Sequence, residues 1–247
     1  MGIQYEHAPI TEALIDVRIE SSSSLTLRDL EGLHAQIREY YPKRKSRYHV
    51  EGQFSAGAQV GALAKQTQIG FVFVSSDELQ LFQARIDGFT FSRLRPYGNW
   101  NELRTEARRL WGLYRKAIGD AKIIRTAVRY INQIDIPQSS IDYKDYFRTT
   151  PEVSPDLPQG LSGFLMQLQF PLLEVAGTLI LTQMAVPPLQ PQTSSVILDI
   201  DAFKDGVLDS DGDAWALLEK LRDCKNQFFF GSITDKTRGL FGRITTY

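Results

Sequence analysis

Apolar and polar positions alternate over residues 122–137, KIIRTAVRYINQIDIP, near the middle of the chain. Side chains alternate along a strand, so Ile124, Thr126, Val128, Tyr130, Asn132, Ile134 and Ile136 share one face. Arg125, Ala127, Arg129, Ile131, Gln133 and Asp135 share the other. The first face is mostly apolar and suits packing beneath helices. The second points two arginines the same way among amide and carboxylate groups, and is expected to meet water, a partner chain or a ligand.

Similar runs predict strands over 13–20, 48–54, 69–74, 163–170, 178–186 and 195–202. Asp87-Gly88 lies between two strand-like runs within 79–94 and predicts a two-residue hairpin turn. Ile86 would then oppose Phe89, Ala84 would oppose Phe91 and Phe82 would oppose Arg93. Gln83, Arg85, Thr90 and Ser92 would share the polar side. Helical spacing takes over after Thr26, a suitable N-cap, in Leu27, Leu30, Leu33, His34 and Ile37, and stops by Pro42. Leu103, Ala107, Leu110, Trp111, Tyr114 and Ile118 form the clearest stripe, over 102–118, between Asn99 and Gly119. A second long helix starts near Asp211 or Asp213, with Trp215, Leu218, Leu221 and Cys224 on its apolar side and Leu217 and Phe228 flanking. A short helix is expected over 141–147. The Gly- and Ala-rich stretch 55–67 and the proline-bearing stretch 150–160 read as loops.

The order strand, helix, several strands, helix then recurs. Residues 1–120 and 121–247 are read as two α+β halves with the outline of an internal duplication, in two sheets or one continuous domain. The expected fold class is α+β, with antiparallel sheets and long helices packed on one face.

The chain's 247 residues, 43% hydrophobic and 23% charged, are enough to bury a core. A net charge of −1 supplies no global field for nucleic acid or an anionic membrane, so any such contact has to be local. The single cysteine, Cys224, excludes an internal disulfide and a multi-cysteine metal site, and fits a cytoplasmic location. No apolar run reaches the about 18 residues of a membrane span. A basic start followed by an apolar run is missing, so no signal peptide is expected.

Catalytic and cofactor motifs do not assemble. His34 lies on or beside a helical stripe and reads as structural. His7 could act as a base but has no nucleophile motif around it. Aligning LDSDGDAW (208–215) with a calcium loop puts Val207 and Leu218 where oxygen ligands belong, so Asp211 and Asp213 read as helix-capping acids. Gly57 and Gly61 lack the following GK[ST] of a phosphate loop. No cofactor and no metal is expected. KRKSRYH gives a local basic run in which Lys43, Arg44, Lys45 and Arg47 could contact phosphates and Tyr48 could stack on a base, or which is simply a solvated loop. On the polar sheet face, Arg85, Arg125 and Arg129 could converge with Gln83, Gln167 and Gln169 to hold a carboxylate or phosphate. Alternatively, Arg125 and Arg129 pair internally with Asp16, Asp199 or Asp201.

HAPITEAL (7–14), RTAVRYINQIDIP (125–137) and FFFGSITDKTRG (228–239) resemble a family of bacterial proteins of about this length, described as sporadically distributed and of unknown function. The resemblance spans the chain and implies a prokaryotic cytosolic protein of patchy occurrence, as is common for mobile or defence-linked genes. It carries no chemistry to particular residues. The resulting expectation is a non-enzymatic binding or regulatory protein that holds a protein partner or an anionic small molecule through Arg85, Arg125, Arg129, Gln167 and Gln169. Self-association is left open. The alternatives are a nucleotide or phosphoester enzyme using Asp199, Asp201 or His7, and a nucleic-acid binder using residues 43–48.

Overall fold

The central alternating run folds as a strand, β7 (Ile123–Ile136), and its neighbours come from opposite ends of the chain. On one side it pairs antiparallel with β2 (Ile10–Ile19), on the other with β10 (Ser194–Leu208). The computed structural model describes residues 3–20, 25–54, 62–242 and 244–246. Within them, β3 (Lys43–Phe54), β4 (Ala62–Val74), β5 (Gln80–Arg85), β6 (Gly88–Leu94), β8 (Leu165–Leu172) and β9 (Gly177–Val186) complete one nine-stranded antiparallel sheet. Its order is β3-β4-β5-β6-β2-β7-β10-β9-β8, so a single sheet crosses from the first half of the chain to the second. With its helices the architecture is α+β. A separate ribbon pairs β1 (Ile3–Tyr5) with β11 (Ile244–Thr246).

Register sets the core. Ile15, Val128 and Ala202 lie side by side across three strands, and Ala13, Tyr130 and Ile200 form the next row. All six are buried. The same face continues through the buried Phe91 and through Phe89, Phe82, Phe73 and Phe71, and the rings of these last four meet in sequence. Such aromatic pairs contribute about 0.5–1.5 kcal/mol beyond the area they bury. Helix α3 (Trp100–Ile118) sets Trp111 and Tyr114 against Phe89, at ring separations of 5.6 and 5.9 Å. Helix α5 (Asp211–Ser232) sets Lys225 over Tyr130.

Local sequence explains the boundaries. Asn99 caps α3 by accepting from the Glu102 amide, and Gly119, at φ 66°, ends it in a conformation that suits glycine. Ser210 caps α5, while Asp211 accepts from Trp111 Nε1 and tethers the start of α5 to α3. Thr26 and Asp29 form a reciprocal capping box. The helix expected after Thr26 is two short ones, α1 (Leu27–Gly32) and α2 (His34–Ile37). The Leu33 amide reaches back only three residues, to Leu30, and that tight bond interrupts the ladder. The helix expected over 141–147 is a single turn, α4 (Tyr143–Tyr146), and α6 (Asp235–Gly239) follows α5.

Three strand readings are corrected. The basic run belongs to β3 rather than to a loop before it. Residues 62–67 extend β4, whereas 55–61 of the expected loop lie outside the described residues. The β5–β6 hairpin turns at Ile86 and Asp87, pairing Arg85 with Gly88, Ala84 with Phe89 and Phe82 with Phe91. The expected pairing is displaced by two positions, a shift that keeps each side chain on its expected face.

Candidate functional site

On the face of β7 turned away from Tyr130, the arginines are saturated with carboxylates. Asp16 of β2 accepts from Arg85 Nη2 at 3.0 Å, from Thr90 Oγ1 at 2.7 Å and from Arg125 Nη1 at 3.2 Å. Arg85 also holds Asp87 through Nε, and Arg125 reaches Asp201 and Asp205 while lying over the Phe203 ring. Arg129 makes a forked contact with Asp199, with Nε at 2.9 Å and Nη2 at 2.5 Å. Arg85 spans the sheet because Gly88, directly across from it, has no side chain in the way: a Cβ there would lie 2.9 Å from Arg85 Nη2. Counting Arg18, which lies 3.7 Å from Asp16, four arginines meet the five aspartates 16, 87, 199, 201 and 205. The cluster has no surplus positive charge for a ligand. Asp16, Arg85, Arg125, Asp199 and Asp201 are largely out of water, so removing one of them would strand its partner, which is the usual economy of an internal network.

Gln167 and Gln169 lie on the same face but on the edge strand β8, three strands from β7, about 14 Å at the usual strand spacing. Both are exposed, and Gln167 donates to Thr182. Arg85 also starts three strands from β7, but its side chain reaches across to Asp16 and meets Arg125 there, so the three arginines come together and the two glutamines stand apart.

Strand alternation divides the basic run. Arg44 is directed to the helix-covered face, where it binds Glu31 at 2.6 Å and lies over Phe71. Lys43 pairs with Glu78. Lys45, Arg47 and Tyr48 are exposed. His34 bonds the Tyr41 carbonyl and stacks on Phe73, in a packing role. Among the described residues no group of three or more His, Cys, Asp or Glu is placed to hold a metal ion.

A cavity of about 1000 Å³ opens on the helix side of the sheet, between the start of α3, the second half of α5 and β7. Tyr5, Tyr97, Trp100, Tyr130, Arg222 and Lys225 give it an aromatic wall with two basic side chains. Two bonds to Glu219 hold α3 against α5: Trp100 Nε1 at 2.8 Å and Arg104 Nη1 at 2.5 Å. Arg222 lies over the Trp100 ring, 5.8 Å from its centroid, and pairs with Asp223, a carboxylate 72% exposed. A pair of that kind contributes little and is easily exchanged. The Tyr97 and Tyr130 hydroxyls bond each other at 2.7 Å.

Lys225 stands apart. It is 7% exposed, and its Nζ lies 3.7 Å from the Tyr130 ring centroid. It makes no hydrogen bond and has no carboxylate at ion-pair distance among the described residues. Burial, and then the Arg222 guanidinium, pull its pKa down to about 7. A substantial fraction of this amine is therefore uncharged and nucleophilic at neutral pH. Burial also pushes the Tyr97 hydroxyl up to about 12 and Tyr130 well above its ordinary value, so the hydroxyl pair stays protonated.

The arginine face could be read from the alternation of β7; Lys225 was missed. The signal lay in the phase of α5. Leu218, Leu221, Lys225, Phe229 and Ser232 recur at three- and four-residue steps and are all buried, whereas the step from Leu221 to Cys224 leads off the stripe to a half-buried thiol. A cation on the apolar stripe of a long helix marks a site worth testing. Comparison with family models, curated proteins and solved structures finds no match.

Proposed function

We propose that this chain is a non-enzymatic binding protein for a small organic acid with an apolar body, held in the cavity between α3, α5 and β7. The observation that carries the reading is the buried Lys225, without a hydrogen-bonding partner among the described residues, one helical turn from Arg222 on an aromatic-walled cavity of ligand size. Arg222 exchanges its exposed partner Asp223 for the ligand's carboxylate. The rings of Tyr5, Tyr97 and Trp100 take the apolar body. The acidic lining does not oppose this, because Glu219 is engaged by Trp100 and Arg104, and Glu102 by the cap residue Asn99. The anionic ligand expected from the sequence thus belongs in this cavity rather than on the arginine–aspartate face, where every arginine already has a carboxylate.

Titration calorimetry with 3-phenylpropionate, which has an acid and an aromatic ring but no carbonyl, tests the reading. Binding that weakens about tenfold in Arg222→Met, the loss of one charge-assisted contact, supports it. Absence of heat at millimolar ligand, or equal affinity in the variant, overturns it.

Two wider readings accompany this one. A regulatory role beside products of a mobile or defence-type gene cluster draws only on the family resemblance. Origin of the two halves by duplication is supported by the strand order: β2 and β7 meet centrally, and each half of the sheet is completed by an outer meander before a long helix.

A further inference from the structure

We propose that the Lys225 amine forms a reversible imine with the carbonyl of a 2-oxo acid whose carboxylate is held by Arg222. The proposal deepens the binding reading above and rests on it. Lys225 and Arg222 stand three residues apart on α5, a spacing that puts their Cβ atoms about 5–6 Å from each other. Both side chains line the same cavity. In a 2-oxo acid the two polar groups are adjacent carbons, so one small head can meet both basic groups while its substituent lies against the aromatic wall.

The amine sits over the Tyr130 ring at the cavity wall, where a carbonyl group placed beside Arg222 would meet it. Among the described residues no carboxylate or carbonyl holds this amine. The polar and titratable groups that line the cavity with it are Tyr130 and Asn132 from β7, Tyr97 from the loop before α3, Glu102 from α3, Tyr5 from β1, and Glu219, Arg222, Asp223 and Asn226 from α5. Only Asp223 acts to raise its proton affinity, and the combined effect of burial and Arg222 is larger. The chemistry balances without a further reagent. The nitrogen lone pair adds to the carbonyl carbon, a proton passes from nitrogen to oxygen to give the carbinolamine, and loss of one water molecule leaves the imine. No electrons are exchanged with an outside partner, and hydrolysis returns both components.

The test uses the full chain with phenylpyruvate and cyanoborohydride, which supplies hydride to any imine present. Intact mass should rise once, by the mass of the acid less one oxygen atom, and peptide mapping should place the adduct on Lys225. Lys225→Met should abolish it while circular dichroism and the urea midpoint show a folded chain. Arg222→Met should slow labelling by phenylpyruvate about tenfold more than labelling by phenylacetaldehyde, which has no carboxylate and registers only the change in the amine's proton affinity; equal slowing of both would overturn the role given to Arg222. Labelling that persists in Lys225→Met, or spreads over surface lysines, overturns the imine. So does an unlabelled wild-type chain that still binds 3-phenylpropionate, and in that case the binding reading survives alone.

Discussion

Burying Lys225 costs stability, and the size of that cost depends on pH in a definite direction. The amine has a pKa of about 7 when folded and 10.5 as an ordinary lysine. Between those values the unfolded chain holds a proton that the folded chain has lost, so stability rises with pH across that window. Below pH 7 both states are protonated and the full penalty for the buried cation applies. Lys225→Met keeps the stem's packing and removes the charge. Its melting temperature should exceed that of the wild type most at pH 6, with the gain shrinking steadily towards pH 10; thermal denaturation followed by circular dichroism measures both. A gain that is flat or grows with pH would mean that the amine is solvated in the folded state. Legibility at this scale was uneven. Arg125 and Arg129 could be placed because every second residue along a strand shares a face and they stand four apart, and their aspartate partners could be named from the same alternation. Lys225 escaped because its meaning depends on helical phase over two turns, and a phase taken from Leu218, Leu221 and Cys224 drifts away from the buried line.

The β5–β6 hairpin shows how an element can keep its faces while its pairing moves. Asp87-Gly88 has the residues of a tight turn, yet Gly88 is the first residue of β6 and opposes Arg85. Its glycine is required by close approach: a Cβ would lie 2.6 Å from the Val17 carbonyl oxygen of β2 and 2.9 Å from Arg85 Nη2. Gly88→Ala should therefore destabilise the chain by about 1–3 kcal/mol, because neither the β2 backbone nor the Arg85–Asp16 contact can yield without loss. The urea midpoint reads this directly, and an unchanged midpoint would show that the strands separate freely there. Turn chemistry in the sequence located the hairpin. It could not show that the glycine serves a neighbouring strand far away in the chain.

At the scale of the whole molecule, the seam between β2 and β7 joins the two halves. Ile15 and Val17 lie beside Val128 and Thr126, and all four are buried. Residues 1–120 expressed alone would leave that edge of β2 unpaired in the middle of an apolar face. Such a fragment should lack a cooperative urea transition, whereas the full chain should unfold in one step by both tryptophan fluorescence and circular dichroism. A fragment with its own sharp transition would show that the halves are independent domains. The sequence supplied the repeated order of elements and the α+β class. Whether there were one or two sheets was hidden, because pairing between strands more than a hundred residues apart leaves no local pattern. Among the described residues no helix is long and apolar enough to cross a membrane.

The small ribbon of β1 and β11 links Ile3 to Thr246, and Tyr5 at its end leans on Phe230 and Phe241 while facing the cavity. In the chain β1 comes before every strand of the large sheet and β11 after them, so the ribbon forms only once residues 244–246 have been made. The sheet strands behind the cavity are synthesised earlier, and the wall to which Tyr5 belongs is completed after them.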